Sequence, residues 1–105
     1  MEWLVHIPDL PNTVARRLAV RQQHLDELEP FIKDGTVVFG GATLSKHPNK
    51  HEKLDLTGSL MVVKADSEEK LMEFLKRDIY SRNGNWDWSK AQITPFVSAG
   101  QTPVL

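Results

Sequence analysis

The sequence predicts an α+β, ferredoxin-like fold, in which a four-stranded antiparallel sheet carries two helices on one face. Three observations support this prediction. Four short runs rich in β-branched and aromatic residues have the length of strands, and two longer segments repeat apolar residues at helical spacing. These six segments follow one another in the order β-α-β-β-α-β, which is the split βαβ arrangement. The chain has 105 residues, which is enough for one hydrophobic core.

The first predicted strand covers residues 3–7 and ends before Pro8. Because successive side chains in a strand point to opposite faces, we expect Val5 and Ile7 on one face and His6 on the other. If the face that carries His6 lines a cavity, His6 would add a titratable group to it.

The first predicted helix begins at an N-cap formed by Asn12 or Thr13 and continues to Lys33. Pro30 is expected to break or kink it near its C-terminus, and Gly35 is expected to stop it. At 3.6 residues per turn, one stripe of this helix is apolar and should pack against the core. The stripe consists of Val14, Leu18, Leu25, Leu28 and Ile32.

Three polar side chains share the inward side of this helix. Arg21 projects from within the apolar stripe, and Arg17 and His24 lie one turn on either side of it. A buried guanidinium without a partner costs several kcal/mol, so we expect Arg21 to meet a carboxylate, a carbonyl array or a bound anion. Two readings of the arginines stay open here, namely structural ion pairs, with Glu27 or Asp78 as partners, or binding of an anionic substrate group.

The remaining elements follow in order. Residues 36–39 form a second predicted strand that runs into a glycine pair, and residues 60–63 form a third, entered through residues 57–59. The second helix follows the N-cap Ser67 and is closed by residues 78–80. Residues 91–97 form the last strand, with Pro95 suiting an edge position. Residues 45–53 are polar and basic, so we expect an exposed loop that acts as a lid or rim.

Composition excludes several classes of function. Thirteen Lys and Arg residues balance fourteen Asp and Glu residues, which gives no electrostatic footprint for nucleic acid or for an acidic membrane surface. The absence of cysteine excludes disulfides and thiolate chemistry. His47 and His51 are four residues apart, but Pro48 lies between them, so no metal site is predicted. With no signal peptide or membrane span in the sequence, we expect a cytoplasmic protein.

We predict one domain over residues 1–98 and a C-terminal tail without pattern over residues 99–105. With both helices on one side of the sheet, the opposite face would be apolar and uncovered, which predicts a homodimer formed by sheet faces. The residues expected on that face are of the type of Trp3, Phe39, Met61 and Ile93.

The string RLAVRQQHL at residues 17–25 resembles the YCII-related (YciI-like) family of the dimeric α/β-barrel superfamily. The same order and nearly the same spacing continue through the Gly, strand and Asp motifs at residues 34–35, 40–41, 57–59 and 78–80, so that the resemblance spans about residues 3–96. Three positions depart from the family's pattern: His6, Pro30 and Ile79, the last standing where the family commonly has proline in a D-P-Y tripeptide.

The resemblance implies a ferredoxin-like dimer whose pocket holds a His and an Asp proposed as catalytic, and these fall on His24 and Asp78. From the residues alone, Asp78 could instead cap a helix or pair with Arg77 or Arg82. Because the two helices of this fold lie side by side, we expect Asp78 to reach His24, favour one tautomer and stabilise the imidazolium. Ser59 is a candidate for a hydroxyl in the same pocket, although a serine at a strand entry is usually a turn residue.

The sequence has no phosphate-binding loop, nucleophile elbow or dinucleotide fingerprint, so we expect a reaction without a cofactor. The leading hypothesis is a lyase or isomerase that moves protons on a small acidic or phenolic compound by elimination, decarboxylation, dehydration or lactone isomerisation. His24 and Asp78 would be catalytic, while Arg17, Arg21, Ser59 and His6 would bind substrate. The alternative hypothesis is a module that binds or senses a small molecule without catalysis.

Overall fold

The computed structural model of the protein describes residues 1–99, so the predicted tail lies almost wholly outside the described residues. Four strands form a single antiparallel sheet in the order β2-β3-β1-β4, which confirms the ferredoxin-like prediction. The strands are β1 (Glu2–Pro8), β2 (Val37–Leu44), β3 (Leu56–Lys64) and β4 (Gln92–Phe96).

Helical segments connect the strands on one side of the sheet. They are α1 (Val14–Ala19), α2 (Arg21–Lys33), α3 (Glu68–Arg77), α4 (Ile79–Arg82) and a 3₁₀ turn at Trp88–Lys90. The α3 helix begins as predicted, because the Ser67 hydroxyl accepts a hydrogen bond from the Lys70 backbone N–H. The α2 helix ends at Lys33, and Gly35 follows its C-cap Asp34 with a φ of 86°, a conformation that suits glycine.

The core lies between the sheet and these helices. Central strands β1 and β3 supply its floor, and α3 and α4 close it from above, because each presents its apolar side chains to the same layer. Its fully or almost fully buried members are Val5, Ile7, Met61, Val63, Leu71, Leu75, Tyr80 and Trp86.

The prediction of one helix from residue 13 to residue 33 was wrong in one respect. Val20, with φ −112° and ψ 9°, leaves the helical conformation and divides the segment into α1 and α2. The regular rotation of 100° per residue is therefore not carried from one helix to the other, and a single inward stripe does not form. Leu18 and Ile32 are about half exposed. Pro30 does not break α2, which continues for another turn to Lys33.

The expected composition of the uncovered sheet face was wrong for Trp3, Met61 and Ile93, whereas Phe39 pairs with Val62 on that face. Met61 and Ile93 both pair with Val5, and partners in register share a face, so these residues lie on the side of the helices. Trp3 is also packed against the core. The opposite face instead carries alternate residues such as Leu4 and Val62, which are paired with each other.

Two other segments differ in extent from the sequence-based expectation. The β2 strand runs through Gly40 and Gly41 rather than ending there, and β3 includes Ser59. Residues 45–53 form the expected exposed connection without a helix or strand, and their role as a lid remains a prediction. Among the described residues, no helix has the length and apolarity needed to cross a membrane.

Candidate active site

Asp78 lies at the junction between α3 and α4. It is the C-cap of α3 and the N-cap of α4, because its extended backbone (φ −61°, ψ 140°) separates the two helices. Its Oδ1 atom accepts a hydrogen bond of 2.9 Å from the Tyr80 backbone N–H, which orients the carboxylate. The side chain is 7% exposed. The capping role that the sequence left open is therefore real, and it fixes the carboxylate for a second contact.

That second contact is with His24, one turn into α2. The Nδ1 atom of His24 lies 2.8 Å from Asp78 Oδ1, which confirms the predicted hydrogen bond between the two helices. A carboxylate can only accept, so in the neutral imidazole the proton resides on Nδ1 and the lone pair on Nε2. Among residues 1–99, Nε2 has no hydrogen-bond partner. The arrangement leaves it available as a base.

The His24 ring is also held by aromatic packing. It stacks on the Tyr80 ring with a centroid distance of 3.9 Å and an angle of 16° between the planes. Tyr80 in turn meets the edge of Trp86, whose Nε1–H donates to the Ser59 hydroxyl at 3.1 Å. Two independent contacts, one polar and one stacked, therefore fix the orientation of the imidazole.

A cavity of about 420 Å³ opens between α2 and the β2–β3 half of the sheet, and His24 lines it. One part of its wall is polar, with Arg17, Arg21, His24, Ser59 and Tyr80, and the rest is mainly apolar. The apolar part includes Leu25, Leu28, Ile32, Val37, Val38, Phe39 and Met61, and the glycine pair of β2 adds wall without side chains. This combination suits a small organic molecule with a polar end and an apolar body.

Arg17 forms a buried structural ion pair. Its Nη1 atom lies 3.1 Å from both carboxylate oxygens of Asp9, and both side chains are almost fully buried. Burial raises the pKa of the Asp9 carboxyl above its ordinary value, and the charge of Arg17 opposes that rise. The structural alternative for Arg17 therefore holds, but its partner is neither Glu27 nor Asp78. Asp9 was missed because it precedes the helix and no periodicity links it to Arg17.

Arg21 differs from the expectation that it is buried and paired. It is exposed and lines the cavity, and it has no ion-pair partner among residues 1–99. The break at Val20 explains the difference. Because the helix is interrupted there, the direction of the Arg21 side chain no longer follows from that of Arg17 by 100° per residue. Arg21 is consequently the arginine available to an anionic ligand.

The structure brings Ser59 to the cavity but not His6. Ser59 is buried in β3 and lines the cavity, with its hydroxyl accepting the hydrogen bond from Trp86. His6 lies in β1 between Val5 and Ile7, which face the core, so its side chain lies on the opposite face of the sheet from His24. The expected substrate-binding role of His6 is therefore not supported by its placement in this chain.

Tyr80 is the site residue that sequence reasoning missed. It appeared as the end of the segment that closes the second helix and as the tyrosine of the D-P-Y tripeptide, without a role in the site. It contacts His24 and also packs against Arg17, whose Cζ atom is 4.4 Å from the ring centroid. The available signal was that Tyr80 is the only tyrosine of the chain and follows Asp78 by two residues. In residues 1–99, no three His, Cys, Asp or Glu side chains converge to hold a metal ion.

Comparison with known proteins places these features in context. Residues 1–100 match the protein-family model described as the YCII-related domain. The chain is 39% identical over 97 residues to "Fusaric acid biosynthesis protein 2" of Gibberella fujikuroi, covering 92% of this chain and 93% of that protein. It is also 39% identical over 98 residues to "Aspartate kinase FUB3" of Fusarium oxysporum f. sp. lycopersici, covering 93% of this chain but only 18% of that longer protein.

A solved structure has the same fold. It is 5-chloro-2-hydroxyhydroquinone dehydrochlorinase (TftG) from Burkholderia phenoliruptrix, in complex with 2,5-dihydroxybenzoquinone. The TM-score is 0.78 at 24% sequence identity, and the match covers 94% of this chain and 96% of that one. At this identity the likeness establishes the ferredoxin-like architecture, while activity has to be argued from the site.

Proposed function

We propose, given that the chain belongs to the YCII-related domain family, that it is a cofactor-independent enzyme performing acid–base chemistry on a small acidic or phenolic organic compound. One observation carries the proposal. The carboxylate of Asp78 accepts from His24 Nδ1 at 2.8 Å, which leaves His24 Nε2 as a free base on a side chain that lines the cavity. A positioned imidazole of this kind contributes typically about 10²- to 10⁴-fold to a proton transfer.

In the proposed reaction, His24 Nε2 removes a proton from a C–H or O–H group of the bound substrate. Asp78 keeps the imidazole in the required tautomer and stabilises the imidazolium that forms. Arg21, which has no ion-pair partner in residues 1–99, stabilises the negative charge that develops on the substrate. Elimination, decarboxylation, dehydration and lactone isomerisation all use these steps, and His24 can return the proton where the product requires it.

The comparisons support the class of reaction and substrate. The name of the structural neighbour, a dehydrochlorinase, describes an elimination, and its ligand is a hydroxylated quinone. A relative at 39% identity is named as a biosynthesis protein for an organic acid. These names favour a lyase acting on a small oxygenated compound. The homodimer and the cytoplasmic location remain predictions.

The test is proton exchange catalysed by the protein in D₂O. The probes are 2,5-dihydroxybenzoquinone, hydroxybenzoates, hydroxyquinols and 3-oxo acids, and proton NMR measures the loss of their acidic C–H signals. We expect catalysed exchange or turnover of at least one probe, reduced by about 100-fold or more in His24→Gln. The matched control is His51→Gln, since His51 is an exposed histidine of the loop over residues 45–53.

Two outcomes would contradict the proposal. Equal rates for the unmodified protein and His24→Gln would show that the imidazole takes no part in proton transfer. Probe binding without exchange or turnover for any compound, with the same affinity in His24→Gln, would instead support the alternative of a non-catalytic binding module. Isothermal calorimetry on the same probes separates binding from catalysis.

A further inference from the structure

Tyr80 occupies a position that packing alone does not require of a tyrosine. The residue is 2% exposed, and its ring is held by His24, Trp86 and the Arg17 guanidinium. A phenylalanine ring would make the same stacking contacts. The hydroxyl is therefore the part of Tyr80 that stacking does not require; it is hydrogen-bonded by the Arg17 side chain, and Tyr80 belongs to the polar part of the cavity wall.

The hydroxyl proton has no acceptor among residues 1–99. The one cation packed against the ring is Arg17, and a guanidinium can only donate hydrogen bonds. The nearby carboxylate of Asp78 accepts from the Tyr80 backbone N–H and from His24 through Oδ1, and no hydrogen bond in residues 1–99 joins it to the Tyr80 hydroxyl. The Arg17 side chain hydrogen-bonds the hydroxyl oxygen, and no buried side-chain polar atom in residues 1–99 lacks a partner. The O–H proton, on a residue that lines the cavity, is therefore the part left for a ligand atom to accept.

The phenol is also in the protonation state that donation requires. Burial raises the pKa of Tyr80 above its usual value of 10.0, and the charges of Arg17 and Arg21 oppose part of that rise. At neutral pH the side chain is therefore a neutral phenol that carries a proton. The positive charges of Arg17 and Arg21, which both line the cavity, favour negative charge on any ligand oxygen that accepts the phenol proton.

We propose that the Tyr80 hydroxyl is a second catalytic group, which donates a hydrogen bond to the substrate oxygen on which negative charge develops. This inference rests on the proposed function of His24 as the base. The stacking of the two rings at 3.9 Å places donor and base on neighbouring side chains of one cavity wall. Arg17 is held by Asp9 against the ring, so Arg21 remains the cation that reaches the substrate.

The proposed step balances without a further reactant. His24 Nε2 forms a bond to the proton of a C–H group next to a carbonyl, and the C–H electron pair becomes a C=C bond. The C=O π electrons move to oxygen, which becomes an enolate that accepts the Tyr80 O–H. Loss of a leaving group with its electrons, or return of the proton to another carbon, completes an elimination or an isomerisation.

The geometry also narrows the substrate class. A base, a neutral O–H donor and one free guanidinium suit a ketone, quinone or phenol that can form an enolate or phenolate oxygen. A substrate whose acidic C–H has no neighbouring oxygen would leave the Tyr80 hydroxyl unpaired and would bind less well. We therefore expect hydroxyquinones and phenols to bind better than alkyl carboxylates of equal size.

The experiment measures an oxyanion directly and does not depend on turnover. The probe is 4-nitrophenol, whose phenolate absorbs in the visible range, and binding is followed by absorbance in the intact protein as a function of pH. We expect the unmodified protein to bind the phenolate in preference to the phenol, and Tyr80→Phe to reduce phenolate affinity by roughly 10- to 100-fold. The matched control Thr43→Val removes a hydroxyl of β2 that bonds Thr57 outside the cavity, and it should bind as the unmodified protein does.

Tyr80→Phe keeps the ring and its stacking, and circular dichroism verifies that the variant is folded. Equal phenolate affinity for Tyr80→Phe and the unmodified protein would overturn the inference, and so would the absence of any phenolate binding by the unmodified protein. Failure of the proposed function gives a different pattern, in which His24→Gln leaves proton exchange unchanged. Loss of exchange in His24→Gln together with unchanged probe binding in Tyr80→Phe would retain the base and reject the oxyanion donor.

Discussion

Replacement of Asp78 tests whether one carboxylate both caps a helix and sets the tautomer of His24. In Asp78→Ala, α4 loses the cap at the Tyr80 N–H, which costs about 0.5–2 kcal/mol. The same change removes the bond of 2.8 Å to His24, and hydrogen bonds to charged groups contribute about 1.5–3 kcal/mol. Since the carboxylate is only 7% exposed, solvent screening reduces this little, and the free energy of unfolding should fall by about 2–5 kcal/mol.

The matched control is Asp87→Ala. Asp87 caps the 3₁₀ turn by accepting from the Ser89 N–H at 3.1 Å, and it lies away from the cavity. Its loss should cost mainly the capping contribution, about 0.5–2 kcal/mol, because its other hydrogen bond, from the Ser89 hydroxyl, is exposed. Urea unfolding, followed by tryptophan fluorescence, measures both variants. Equal losses for the two variants would refute the reasoning, because the bond to His24 would then contribute nothing.

Asp78→Asn separates the two roles further. Asparagine caps helices about as well as aspartate, so α4 should be kept. The neutral amide can donate to Nδ1 of His24, which would move the imidazole proton to Nε2 and remove the base from the cavity. Nitrogen-15 NMR of the histidine ring should show Nδ1–H in the unmodified protein and a substantial Nε2–H population in the variant. An unchanged tautomer would show that Asp78 does not set it.

Three further predictions concern the arginines, the tyrosine and the assembly. Arg17→Met should lower the free energy of unfolding by about 3–5 kcal/mol, because it leaves Asp9 buried and unpaired. Arg21→Met should change it by less than about 0.5 kcal/mol, because Arg21 is exposed. Equal effects in urea unfolding would contradict the assignment of Arg17 as the structural arginine and Arg21 as the free one. Tyr80, the only tyrosine, should titrate in the near ultraviolet above pH 10.0 in the folded protein and near 10 in urea. Because the native state keeps its proton after the unfolded chain has lost it, stability should fall as pH rises above 10. Sedimentation at micromolar concentration should give a mass of about twice 11.9 kDa for the unmodified protein. Leu4→Lys, on the uncovered sheet face, should sediment as a monomer. A monomeric mass for the unmodified protein at every concentration would contradict the dimer prediction.

The arrangement of elements was predictable because strand and helix periods are local properties of a sequence. Alternation in β1 correctly placed Val5 and Ile7 together, and the N-cap Ser67 correctly began α3. The family motif added the contact between His24 and Asp78, which are 54 residues apart and which no local pattern could join. The hydrogen bond between them is the part of the candidate site that sequence reasoning anticipated most closely.

The errors have a common physical origin in rotation and register. A single non-helical residue, Val20, changes which side of the helix faces inward, and this reversed the expected roles of Arg17 and Arg21. The composition of the open sheet face depends on which residues pair across strands, and Met61 proved to face the core with Val5. Both depend on backbone geometry at one or two positions, to which averaged patterns are insensitive.

The sequence by itself determined the order of the strands and helices and the class of fold, because these follow from periodicity and capping. The pairing of His24 with Asp78 was anticipated from the family resemblance. Only the tertiary structure decided that Asp9 neutralises Arg17, that Tyr80 stacks on His24, and that the cavity has one free guanidinium in its described wall. These contacts join residues far apart in the chain, and their energies depend on burial and distance, which exist only once the chain has folded.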